Sequence, residues 1–279
     1  MNIKTKRTVQ AILLGVFGTL FVVVLVFPFY WQLITSFRNP ADLFKIPPDY
    51  FPKRVSIEYF RIVFEQHQFG IYLKNSVIVA TSAMCLSLII GMPAAYAFTR
   101  INFAGRDFWK QFMLTANMFP IIAVATPLFV SFKALGLINT YPGLIIPNLV
   151  LTLPLTIWTL QAFLTKIPVD LEHAAQVDGC NRFAAVVRVV LPLMGPGIFA
   201  TAIIAFIGSW NELMFSLIFV TKKAMRTVPV AISMMPGEFT LPWGEISAAS
   251  IVSTLPIIIV VLICQKNIVA GLTAGAVKG

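Results

Sequence analysis

The chain has 279 residues and a formal net charge of +10, with 58% hydrophobic residues, 11% charged residues and a mean hydropathy of +0.86. A soluble domain carries charge on about a quarter of its residues, so a water-wetted globule is excluded and lipid is the solvent. The bases sit in the gaps between apolar runs instead of clustering on one solvated face, which reads as loops at headgroups and argues against nucleic acid as a partner.

In lipid, backbone polar groups must be satisfied within each segment, so an all-α integral membrane protein is expected. Crossing a bilayer takes about 20 residues. Six apolar stretches qualify: 11–34, 75–98, 108–132, 142–163, 198–220 and 248–266. The first follows "MNIKTKR", but it outruns a signal-peptide core and no small-residue cleavage site follows. It reads as a retained helix that ends in the interfacial aromatics "FPFYWQLITSF". Pro93, Pro120, Pro127, Pro147, Pro154 and Pro256 fall in or beside the spans. They imply either kinked helices around a central path or merely irregular packing.

Six spans place both termini on one side, together with the 164–197 gap. The 35–74 and 221–247 gaps lie opposite. The terminal side has eleven bases and the other ten, which decides nothing by the positive-inside rule. Lys4, Lys6 and Arg7 before the first span, with Arg100 and Arg106 in the short 99–107 turn, tip the orientation towards termini inside.

Cys85, Cys180 and Cys264 are too few and too scattered for a disulfide framework or a zinc site, and His67 and His173 stand alone. Nucleophile, base and metal ligands do not cluster, and there is no nucleotide-binding glycine loop. The chain reads as non-catalytic, with no cofactor of its own.

The 164–197 gap is longer than a link between two spans requires. Asp170 is an expected N-cap for "LEHAAQVD", Glu172 suits the first-turn dipole, and Gly179 is an expected left-handed stop. Asn181 then caps "RFAAVVRVV", which is expected to end before Leu191-Pro192. Ala174, Ala175 and Gly179 form a bare strip edged by Glu172, His173 and Asp178, and Asp178 is spaced to pair with Arg182. Such a helix suits docking into a groove of a soluble partner. A headgroup-lying amphipathic helix is the alternative, though it favours basic edges and bulky contacts that this segment lacks.

Polar residues inside spans invite a functional reading. Ser209, Trp210, Asn211 and Glu212 lie mid-way along the fifth span, Asn148 and Thr152 on the fourth, and Asn117 on the third. These residues supply sugar-binding chemistry along a substrate path, or else they fasten helices together.

"EHAAQVDGCNRFAAVVRVVLPLMGPG" resembles the EAA loop of ABC importer permeases, and "AAYAFTRINFAGR", "SWNELMFSL", "WGEISAASIVSTLPIIIV" and "GLTAGAVKG" resemble the maltose-type carbohydrate-uptake branch of that family. The matches cover about a third of the chain, in family order. The resemblance implies one 279-residue transmembrane domain in a bacterial cytoplasmic membrane, with termini and coupling loop inside. It also implies a paralogous, MalF-like permease, two copies of a cytoplasmic ABC ATPase that bind ATP and Mg, and an extracytoplasmic solute-binding protein. The cargo would be a maltose- or trehalose-like sugar.

The implied coupling residues are Glu172, His173, Ala174, Ala175, Asp178, Gly179, Arg182, Leu191 and Pro192. The tail 267–279, with Gly271, Thr273, Gly275 and Lys278, would reach between the ATPase subunits. In the family an acid directly precedes the first alanine. Here that position is His173 and the acid is Glu172, turned by about 100° on a helix. Glu172 is expected to take the ATPase contact, with a His173 hydrogen bond as the alternative. A stand-alone secondary transporter is the competing function, but neither an internal repeat nor a second intramembrane acid supports it.

Overall fold

The structure is a computed structural model that describes residues 3–235, 237 and 241–276, with the side chains of 3–11, 116 and 264–276 outside the description. Among the described residues there is no β-strand, only an isolated bridge between Arg38 and Val55. The chain divides into two compact units, one from the residues up to Phe69 and from Met234 to Thr254, the other from Gly70 to Ser233 and from Leu255 onward.

In the first unit, α1 spans Ile3–Ser36 and α2 spans Glu58–Glu65. The aromatics at the end of α1 gather the following loop. Tyr30 donates to the Tyr50 carbonyl at 2.6 Å, and Trp31 meets Tyr50 edge-on at 6.0 Å. Arg38 lies over Trp31 and donates to the Asp49 carbonyl at 2.6 Å. The start of α13, Trp243–Ala276, packs its Gly244 against the Tyr59 ring, and Glu245 pairs with His67 at 2.7 Å.

The second unit contains α3 (Phe69–Arg100), α4 (Arg106–Asn117), α5 (Ile121–Ala134) and α6 (Tyr141–Leu164). A polar excursion follows, with α7 (Asp170–Val177), α8 (Arg182–Ala185), a π-turn over Val186–Val190 and α9 (Leu191–Leu193). Then come α10 (Gly195–Trp210), α11 (Met214–Phe219) and α12 (Val228–Ser233). One apolar cluster, Ala95, Ile157, Leu160, Leu164, Val190 and Met194, packs α3 and α6 against the end of the excursion. Two polar staples fix the far ends of the same helices. Asn139, at φ +60°, accepts from the backbone of Thr221 and Lys222. Asn75 donates to the carbonyls of Ala224 and Arg226 and accepts from Tyr141.

Among the described residues, four helical segments are long and apolar enough to cross a bilayer: Ile12–Ser36, Phe69–Arg100, Tyr141–Leu164 and Trp243–Ile263. Arg182–Leu193 with Gly195–Trp210, bent by 74°, makes a fifth candidate. The 108–132 span, expected to be kinked at its prolines, is two helices, α4 and α5, with the break at Pro120. α4 cannot run through Pro120, which lacks an N–H and whose ring disfavours helix at Phe119, and Pro120 itself, extended (φ −67°, ψ 120°), precedes α5. The 198–220 span is likewise interrupted between Trp210 and Met214.

Pro192 does not end its helix as expected. The π-turn shifts the hydrogen bonding, with Leu191 N–H donating to Val186 O, so helical structure runs on to Leu193. Asp170 is the first helical residue instead of the N-cap, and Val169 precedes it without a side-chain cap. Gly179 sits at φ +93°, and the Asn181 side chain accepts from Ala184 N–H at 2.8 Å.

Candidate functional site

The polar excursion is clamped to the last turn of α3. Arg100, the final residue of α3, donates from Nε to Glu172 Oε1 at 2.7 Å. Its second nitrogen donates to the carbonyls of Leu164 (3.3 Å) and Ile167 (2.6 Å) at the end of α6. Tyr96, one turn earlier, donates to Glu172 Oε2 at 2.7 Å. Arg182 lies over the Tyr96 ring, 5.9 Å from its centre, and no ion pair joins it to Asp178 among the described residues. Glu172 is 4% exposed and the Arg100 side chain 9%. Removing one partner of such a buried pair costs about 3–5 kcal/mol.

Glu172 therefore does not face outward as expected. It turns into the chain with Ala175, one helical turn on, while His173, Ala174 and Gln176 are exposed. The most exposed large apolar side chains of the excursion are Val177, at 87% exposure, and Phe183, at 78%. Asp178, Gly179 and Pro192 are exposed, and Leu191 is half-buried.

Within the spans, hydroxyls and amides tie three helices. Ser209 on α10 donates to Asn148 on α6 at 2.8 Å, and Ser87 on α3 bonds Thr152 on α6 at 2.6 Å. Beside this network, Asn148, Thr152, Thr156, Thr201 and Gly208 help line a cleft of about 120 Å³. Trp210 is buried against Phe206, with ring centres 5.6 Å apart. Asn211 and Asn117 are exposed at helix ends, outside the network. Of the tail residues, Gly271, Thr273 and Gly275 fall on the backbone of α13, and Lys278 lies outside the described residues.

Residues 87–273, which contain α6, the clamped excursion and α10, match the family described as "Binding-protein-dependent transport system inner membrane component". The chain belongs to this permease family. It is 39% identical over 277 residues to the trehalose/maltose transport system permease protein MalG of Thermococcus litoralis, covering 98% of this chain and 99% of that one. It is 43% identical over 230 residues to the trehalose transport system permease protein SugB of Mycobacterium tuberculosis, covering 82% and 84%. The fold is that of a chain in a bacterial ABC transporter that imports the acidic polysaccharide alginate (TM-score 0.78, 18% identity, covering 95% and 98%).

Two residues of the clamp were missed from sequence, Tyr96 and Arg100. Both stand in "AAYAFTRINFAGR", and a base closing an apolar span reads by default as a headgroup contact. Glu212, a candidate for the substrate path, has its oxygens engaged locally. Oε1 accepts from Phe215 N–H at 2.7 Å, and Oε2 accepts from Ser216 N–H (3.1 Å) and the Ser216 hydroxyl (3.0 Å). It closes the first turn of α11, where orphan N–H groups need a partner. Glu212→Ala is expected to lower permease stability by about 2 kcal/mol, with the transport KM unchanged. A raised KM at unchanged thermal stability would return Glu212 to the substrate path.

Proposed function

We propose that this permease is one half of the pore of an ATP-driven importer for a neutral di- or oligosaccharide. An extracytoplasmic binding protein delivers the sugar, a paralogous, MalF-like permease completes the pore, and two ATPase copies bind ATP and Mg beneath it. Both chain ends and the α7–α9 excursion lie on the cytoplasmic side. The outer loops within 35–74 and 221–247 receive the binding protein, and the tail 267–279 reaches between the ATPase subunits.

The observation that carries this reading is the excursion itself. A helix, a glycine stop and a second helix are clamped through Glu172 and keep an exposed surface that includes His173, Val177 and Phe183. That surface fits a cleft in a soluble partner, and its contact falls to His173 and the apolar pair, since Glu172 is engaged within the chain. ATPase closure moves the excursion and swings the helices it is fastened to, so the path opens to alternate sides. A sugar cargo is supported by the trehalose and maltose in the relatives' names. It is also supported by the hydroxyl and amide lining between α6 and α10.

Tagged permease purified from native membranes is expected to bring a second permease and an ATPase with it. ATP hydrolysis should rise when one binding protein and one sugar are added together. A chain that purifies alone and moves solute without nucleotide would establish the secondary-transporter alternative instead.

A further inference from the structure

The clamp between α3 and the excursion contains more than holding the loop in place requires. Two spans can be joined by a few residues, and the excursion already packs on the Leu160, Leu164, Val190 and Met194 cluster. Added to that packing is a buried ion pair in which each charged group has a second use. Arg100 reaches the Leu164 and Ile167 carbonyls as well as Glu172, and Glu172 accepts from both Arg100 and Tyr96. The last turn of α3 thus holds the end of α6 and the start of α7 through directed bonds, and Arg182 of α8 lies on Tyr96. Apolar packing allows one surface to slide over another. A guanidinium in a fixed fork, hydrogen-bonded to a carboxylate and two carbonyls, does not.

We propose that Arg100, Glu172 and Tyr96 are positioning residues for energy coupling: they make the coupling excursion and the cytoplasmic end of α3 one mechanical piece. A displacement of α7 by the ATPase is then delivered directly to α3, not only along the chain to α6 and α10. This deepens the importer reading and rests on it. Within the excursion the labour divides by face. Glu172 and Ala175 look inward and transmit, while His173, Val177 and Phe183 look outward and receive.

The test uses the whole transporter in proteoliposomes, with radiolabelled trehalose and maltose as probes. The readouts are sugar moved per ATP hydrolysed and the ATPase-to-permease ratio. Arg100→Met with Glu172→Leu removes both charges at once, so no unpaired charge stays buried. The double variant is expected to retain ATPase at the wild-type ratio while moving about 10-fold less sugar per ATP, within the range of residues that carry coupling between sites.

Wild-type sugar per ATP in that variant would overturn the proposal. So would loss of ATPase from the complex, because the pair would then only shape the docking face. If the double variant does not accumulate, Tyr96→Phe deletes one oxygen and leaves the ion pair intact. It is expected to lower sugar per ATP about 3-fold, and an unchanged ratio there overturns the proposal too. Failure of the importer reading looks different, since wild-type permease would then carry no ATPase at all.

Discussion

If the proposed importer assembly holds, Phe183→Asp is expected to strip the ATPase from the solubilised transporter while leaving the permease folded. The side chain is 78% exposed, and its neighbour across the glycine stop, Val177, is 87% exposed. Neither belongs to a described apolar cluster, so a charge at either position costs the isolated permease little. An exposed phenylalanine on a rigid helical face has the character of an interface anchor, and losing such an anchor weakens binding by about 2–4 kcal/mol. That corresponds to roughly 30- to 1,000-fold in Kd. Val177→Asp should act in the same direction, with a smaller effect because less apolar area is lost. Size-exclusion chromatography of the complex, with the ATPase counted per permease, reads the result. Unchanged stoichiometry in both variants would mean that this face lies on lipid headgroups, and the docking reading would fall.

The glycine stop at Gly179 and the Asn181 cap were legible because both depend on local chemistry: one residue tolerates positive φ, and one short side chain reaches back to an N–H. The direction in which α7 faces was not legible. Its eight residues carry no continuous apolar stripe, so periodicity shows that Glu172 and Ala175 share a side but not that the side is the inner one. What decides the matter is Arg100, 72 residues earlier, whose burial only the tertiary fold reveals. Ala174 and Ala175 were read as one strip, and the same rotation divides them between the two faces.

Hydropathy located the long helices well. It joined α4 to α5 because an averaging window passes over Pro120, where the missing N–H and the ring end the helix. The path candidates Asn148, Thr152 and Ser209 were legible as polar groups out of place in lipid. Their partners on other helices, Ser87 among them, required the packed structure.

Gly197→Ala and Gly208→Ala should have opposite effects, although the chemistry is the same and both lie on α10. The two positions are 11 residues apart, about three turns, so they point the same way. At Gly197 an added Cβ would run into Cβ, Cγ and Cδ1 of Phe163, the root of that side chain and not its flexible end. Relief requires the Phe163 ring to change position or α10 to separate from α6, the helix it packs against most closely. Overpacking of this kind costs about 1–3 kcal/mol. At Gly208 the nearest atom to an added Cβ is a Thr152 methyl at 3.7 Å, an ordinary contact at the edge of the 120 Å³ cleft. Alanine there keeps the packing and restricts the unfolded chain, so a gain of about 0.5–1 kcal/mol is expected. Thermal unfolding of the purified transporter should therefore move down for Gly197→Ala and up for Gly208→Ala. Equal shifts in the two variants would show that α6 and α10 do not approach most tightly at Gly197, and the helix packing assigned here would have to be redrawn.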